Sequence, residues 1–160
     1  APVEETEINY PVRILRYELV ENSEGPGRHR GGLGVRRDYQ FDDHEVTFTI
    51  LADRNRWGPW GLFGGQDGRK AYYIVNPDGE SRELISKTTL DVKPADIVSF
   101  QTCGGGGWGP PEERNPALVL RDVREAKVSL ERARTAYKVA VDPGTWTVDE
   151  TETARLRGTN

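Results

Sequence analysis

Residues able to make or break bonds are few in this chain. Its 160 residues include one cysteine, Cys103, and two histidines, His29 and His44. Cys103 borders four consecutive glycines, Gly104, Gly105, Gly106 and Gly107, which Trp108 follows. A thiolate there would be a nucleophile, but no sequence neighbour supplies a base, and inert buried thiols are common. His29 sits between Arg28 and Arg30 in a glycine-rich run, a combination suited to a carboxylate or phosphate. As a general base His29 has no acidic or thiol partner close in sequence. The four glycines offer backbone N–H groups to an anion. No Gly-Lys-Ser/Thr follows them, however, and the acidic residue of a dinucleotide fold is missing too. The other use of such glycines is close packing of loops. Metal-ligand spacings and the Gly-x-Ser-x-Gly elbow are absent. Arg54, Arg56, Trp57 and Trp60 mix cations with indoles, which is recognition chemistry. Ser86-Lys87-Thr88-Thr89 sets a cation among hydroxyls on an expected turn. These residues supply neither a catalytic set nor a metal set; they describe recognition loops on a scaffold.

The elements that must position those loops are mostly strands. After an acidic, extended arm from Ala1 to Ile8, alternation predicts strands at Tyr10–Leu19, Val35–Phe41 and Glu45–Ala52. Asp42-Asp43 makes the second and third a plausible hairpin. Further strands are expected at Lys70–Val75, Thr88–Val92 and Ile97–Thr102, with turns at Asn76-Pro77-Asp78-Gly79 and Lys93-Pro94-Ala95-Asp96. Three Gly-rich stretches, Gly25–Gly34, Trp57–Gly65 and Gly104–Gly109, are expected to gather on one side of this body. The texture then turns helical. Asn115-Pro116, Ser129 and Asp149 are N-cap signals for short helices, and Asp142-Pro143-Gly144 divides two short extended runs. The expected fold class is α+β: a β-rich antiparallel sheet or barrel-like body over 9–110 with short C-terminal helices over 111–160, in one domain.

Composition narrows the partners. A net charge of −4 without charge blocks argues against nucleic acid. No run approaches the roughly 20 apolar residues of a membrane span. The lone cysteine and the absence of a leader pattern suggest a reducing, cytoplasmic location.

Taken together, three sets of motifs resemble the hydantoinase B / 5-oxoprolinase family. They are Tyr10-Pro-Val-Arg13 with Gly25–Gly34; Asp53-Arg54 with Pro59-Trp60-Gly-Leu-Phe-Gly-Gly65; and Ser86-Lys87 with Gly104–Gly109, Glu113-Arg114 and Val119–Arg124. The order holds to Thr153–Arg157, essentially the whole chain. The resemblance implies the C-terminal part of a B-type subunit. Such a subunit works with an A-type, actin-like ATP-binding subunit that phosphorylates a lactam, imide or ketone oxygen. The activated species is then hydrolysed or carboxylated. ATP, Mg and a transition metal are expected on partner subunits and no cofactor on this chain, because the resemblance puts the metal-binding His and Asp residues in the N-terminal part of the B subunit. The chain is then either a naturally split subunit or a fragment. Arg28, His29, Arg30, Arg54, Trp57, Trp60, Lys87, Gly104–Gly107 and Trp108 are the expected substrate or interface loops. The alternative is a stand-alone small-ligand binding module without catalysis.

Overall fold

The structure is a computed structural model that describes residues 2–41 and 43–158. It divides into two compact units, each assembled from three stretches of chain.

The first unit comprises residues 1–19, 35–57 and 70–102. Its main sheet has five strands in the order β1-β2-β7-β4-β5: β1 Arg13–Leu19, β2 Val35–Gln40, β7 Ile97–Gln101, β4 Tyr72–Val75 and β5 Arg82–Glu83. Neighbouring strands in it run antiparallel. A separate antiparallel pair joins β3 Val46–Leu51 to β6 Lys87–Val92. Phe100 of β7 is the packing centre. The rings of Tyr39, Phe48 and Tyr73 meet it edge-on at 5.5, 5.6 and 5.6 Å, so the β3–β6 pair covers the sheet over β7. Ile50, Tyr73, Val75, Val92 and Val98 complete this core.

Four expectations are corrected here. β2 and β3 are not a hairpin: β2 is flanked by β1 and β7, and β3 pairs with β6. Alternation reports the faces of a strand, not its neighbours. Of the Asp42-Asp43 turn, Asp42 lies outside the described residues. Among the described residues closure is absent: the main sheet is open, ending at β1 and β5. The acidic arm is a helix, α1 Val3–Asn9, with Glu4 and Glu5 in its first turn, where the helix dipole favours negative charge. Similarly, Lys87 opens β6 opposite Leu51 instead of sitting in a turn.

The second unit comprises residues 20–34, 58–69 and 103–160. A 3-10 turn, Pro111–Glu113, precedes α2 Pro116–Arg124, α3 Leu130–Thr135, the β8–β9 hairpin (Val141–Asp142 and Thr147–Val148) and α4 Glu150–Arg157. The caps act as the sequence indicates. Asn115, Ser129 and Asp149 accept from the amides of Ala117, Arg132 and Glu152. Amphipathic α2 lays Val119 and Val123 against Val128, Ala133, Tyr137 and Val139 to form the helical core.

On α4, Glu152 accepts from Arg155 at 2.6 and 2.8 Å and also from Arg134. These guanidiniums, Arg155 foremost, hold its carboxyl down at about 2. A depressed carboxylate pKa stabilises the fold fully above the ordinary value of 4.5, and the contribution is lost as pH falls toward 2. Solvent screens this surface cluster, so the effect on stability is small. An NMR titration should place the Glu152 midpoint near pH 2; a midpoint near 4.5 contradicts the cluster.

Candidate functional site

Gly25–Gly34, Gly58–Gly65 and Gly104–Gly109 come together as a backbone lattice, but inside the second unit with the helices and not on the β-rich body where they are expected. The 103–109 strand of chain lies between the other two. Gly105 donates its amide to Gly32 and accepts from Gly25, at 2.8 and 2.7 Å. Gly107 donates to Gln66 and accepts from Leu62, both at 2.9 Å. Trp108 and His29 exchange both backbone bonds, at 2.9 and 3.0 Å. Gly104 donates to the carbonyl of Arg69 at 3.1 Å.

The spacing explains the composition. A Cβ on Gly104 would fall 1.7 Å from the Ser23 carbonyl oxygen. One on Gly106 would fall 2.0 Å from that of Trp60, and one on Gly107 2.0 Å from that of Pro26. Three backbones therefore pass closer together than any side chain permits. The same bonds decide against an anion cradle in this loop. The amides of Gly104, Gly105 and Gly107 already have carbonyl partners, so they do not converge on an open space.

The lattice carries an aromatic patch on its surface. Trp60, Leu62, Phe63 and Trp108 are 66%, 50%, 76% and 43% exposed. The Trp108 ring lies 5.4 Å from His29 and 5.6 Å from Phe63. Phe63 holds a φ of 52°, a strained value for a bulky residue, which the following Gly64 at 91° continues. The ring is thus presented by a fixed turn. Arg28 is exposed beside it, 3.7 Å from Glu113.

Beneath the patch lies an ionic layer that sequence reasoning missed. Asp122 is 1% exposed and meets Arg114 at 2.8 Å and Arg30 at 3.1 Å. Arg30 is therefore committed to the interior, not poised for a ligand. Glu24, fully buried, accepts from Arg132 at 2.9 Å and from the Tyr137 hydroxyl at 3.1 Å. Burial, then the Glu24 carboxylate, pushes the Tyr137 phenol far above its ordinary pKa, so it stays a donor. Asn22 clamps the same segment to α3, exchanging bonds with the hydroxyl and amide of Ser129 at 3.0 and 2.9 Å.

Of the remaining sequence candidates, Arg54, Arg56, Trp57 and Lys87 belong to the first unit and Cys103 to the second. Arg54 adopts a φ of 64°, and its carbonyl accepts from Ala71 at 2.8 Å. Arg56 stacks on the exposed Trp57 ring at 4.4 Å. With Asp53, Asn55 and Ser86 they line an open cleft of about 310 Å³. Lys87 is exposed at the start of β6. Trp57 and Trp60, three positions apart, thus belong to different units. Cys103 is a half-buried free thiol. Among the described residues no cluster of His, Cys, Asp or Glu could hold a metal ion, and no helix is long and apolar enough to cross a membrane.

One unit holds an open antiparallel sheet and the other a glycine lattice with short helices, an α+β architecture. Residues 1–111 match the family model for hydantoinase B/oxoprolinase, and the chain belongs to that family. It is 42% identical to an uncharacterized protein of Methanocaldococcus jannaschii, over 98% of this chain and 28% of that one. It is 35% identical to the caprolactamase subunit beta of Pseudomonas jessenii, over 94% of this chain and 27% of the subunit. The crystal structure of the ATP-dependent caprolactamase from that organism superposes with a TM-score of 0.83 at 28% identity, over 99% of this chain and 28% of that one. Acetone carboxylase shares the fold, with a TM-score of 0.83 at 20% identity, over 99% of this chain and 26% of that one. The chain thus spans about a quarter of the length of these relatives.

Proposed function

We propose that this chain is the C-terminal recognition and scaffold piece of a B-type subunit. The subunit belongs to an ATP-dependent complex that hydrolyses a cyclic amide of the hydantoin, 5-oxoproline or lactam type, or carboxylates a ketone. Phosphorylation of the substrate oxygen takes place on an A-type, actin-like partner, which holds ATP and Mg. Hydrolysis or carboxylation uses the N-terminal part of the B-type subunit and any transition metal there. The chain contributes no catalytic residue of its own. The observation that carries this reading is the aromatic patch: rigid glycine-lattice backbone holds Trp60, Leu62, Phe63 and Trp108 in solvent. Exposed aromatic clusters of this kind mark partner surfaces, and aromatic anchors dominate association energies.

The purified chain alone should turn over neither ATP, lactam nor ketone. Turnover that survives Cys103→Ala would overturn this. In a complex reconstituted with its A-type and N-terminal B-type partners, Trp60→Ala or Trp108→Ala should weaken assembly by about 2 kcal/mol or more by calorimetry. Arg28→Ala and Arg54→Ala should lower turnover more than assembly, because both side chains are exposed and their truncation leaves the backbone bonds of the lattice in place. If all four variants assemble and turn over like the parent, the patch is not a partner surface.

A further inference from the structure

Strand β1 ends the main sheet, and among the described residues no strand pairs with its outer edge. Leu15, Tyr17 and Leu19 on it are 43%, 58% and 56% exposed. Soluble proteins usually blunt such an edge with charge, proline or a covering element. The start of β1 is blunted in this way, since Glu7 of α1 accepts the amide of Ile14 at 2.7 Å. Past the register shift between Ile14 and Arg16 the ladder is regular through Leu19. The Arg37 guanidinium lies 3.9 Å over the Tyr17 ring and fixes that side chain in place.

We propose that this edge joins a second copy of the chain. Two β1 strands pair antiparallel about residues 16–18, giving one continuous sheet with five strands from each copy. A two-fold axis normal to the sheet keeps every residue on its own face, so one residue of β1 must lie on the axis. The charge pattern selects which. With Arg16 on the axis, two arginines stand directly opposite each other. With Glu18 there, two glutamates do. With Tyr17 on the axis, Arg16 faces Glu18 of the second copy and Glu18 faces its Arg16, all within the regular part of β1. Only this central register matches both charges, and it sets the two exposed Tyr17 side chains opposite each other. Arg16 also meets Asp78 at 2.9 Å, yet its side chain is 40% exposed and open to a second carboxylate. The contact uses the first unit, whereas the aromatic patch of the heteromeric reading lies in the second.

The test is the oligomeric state of the chain and of two charge variants. Sedimentation velocity over about 1–500 µM brackets the micromolar affinity of so small an interface. The parent should dimerise in that range. Glu18→Arg puts arginine opposite arginine twice and should weaken the dimer about tenfold or more. Arg16→Glu puts glutamate opposite glutamate twice and should do the same. An equimolar mixture of the two variants restores both pairs and should form a heterodimer as tightly as the parent dimerises. Arg16 also contacts Asp38 and Asp78, so Arg16→Glu is used only if its far-UV circular dichroism matches the parent. Otherwise Glu18→Arg decides, together with amide exchange. Exchange at Tyr17 and Leu19 should slow as parent concentration rises and stay constant in Glu18→Arg. A parent that is monomeric throughout, a Glu18→Arg variant that dimerises like the parent, or two folded variants that ignore each other overturns the proposal.

Discussion

Replacing Gly104 by alanine should unfold the glycine lattice. The added methyl carbon would stand 1.7 Å from the Ser23 carbonyl oxygen and 2.5 Å from its carbonyl carbon, both backbone atoms with no rotamer to escape into. Relief requires the 20–34 segment to move away. That segment is held by Gly25, Gly31 and Arg69, and by Asn22 on Ser129, so the strain spreads through the lattice. Overpacking a well-packed interior costs about 1–3 kcal/mol even where flexible side chains can adjust. Against fixed backbone the loss should reach about 3 kcal/mol or more, a large part of the stability of a domain this size. Gly106→Ala and Gly107→Ala should behave alike, each placing a methyl 2.0 Å from a carbonyl oxygen. Gly32→Ala and Gly79→Ala are the controls. Nothing lies within 4 Å of either added carbon, so both should be neutral or raise stability by a few tenths of a kcal/mol through the unfolded chain. Urea unfolding of the five variants checks the ranking. A Gly104→Ala protein as stable as Gly32→Ala would mean that the lattice spacing is not held in solution.

The helix caps and the strands, both local signals, are legible in the sequence. Asn115, Ser129 and Asp149 each cap a helix because an N-cap needs only its own next two or three amides. The strands announced themselves by alternation, and the glycine stretches by cost: so many glycines persist only where backbone meets backbone. Pairing was not legible. β2 looked like a hairpin partner for β3, but its edges are taken by β1 and β7, and nothing in two alternating runs distinguishes those outcomes. The N-terminal arm was misread because α1 buries no residue; local bonds such as Asn9 to the Glu5 carbonyl hold it, with no apolar stripe to signal it. The ionic layer was hidden for a different reason. Glu24 and Arg132 are 108 positions apart, and each alone looks like a surface charge. Arg30 illustrates the consequence: a guanidinium in a glycine-rich loop reads as a ligand contact until Asp122 is found beneath it. Arg114 and Asp122 did lie within stretches that resemble the family, so a signal for the network existed, but not for its chemistry.

Removing that carboxylate should be nearly as damaging as filling the lattice. Asp122 is 1% exposed, and its Oδ2 lies 2.8 Å from Arg114 and 3.1 Å from Arg30, whose side chains are 8% and 18% exposed. Asp122→Ala strands two guanidiniums where water can barely reach them, at a cost of about 3–5 kcal/mol. Arg114 cannot swing out freely, since its Nη1 also donates to the Arg28 carbonyl at 3.2 Å. Arg28 begins the stretch whose His29 pairs with Trp108, so disorder at Asp122 should reach the aromatic patch. Asp122→Asn keeps the shape and one acceptor but loses the charge, and should fall between parent and alanine. The discriminating variant removes the whole triad. A buried ion pair replaced by apolar residues of similar volume is often neutral. Arg30→Met, Arg114→Met and Asp122→Leu together should therefore recover more than half of the stability that Asp122→Ala loses. Urea unfolding gives these differences, and near-ultraviolet circular dichroism of Trp108 and Trp60 reports whether the patch follows. A loss below about 1 kcal/mol for Asp122→Ala would mean that the carboxylate is not the counter-charge that holds Arg30 and Arg114 inside.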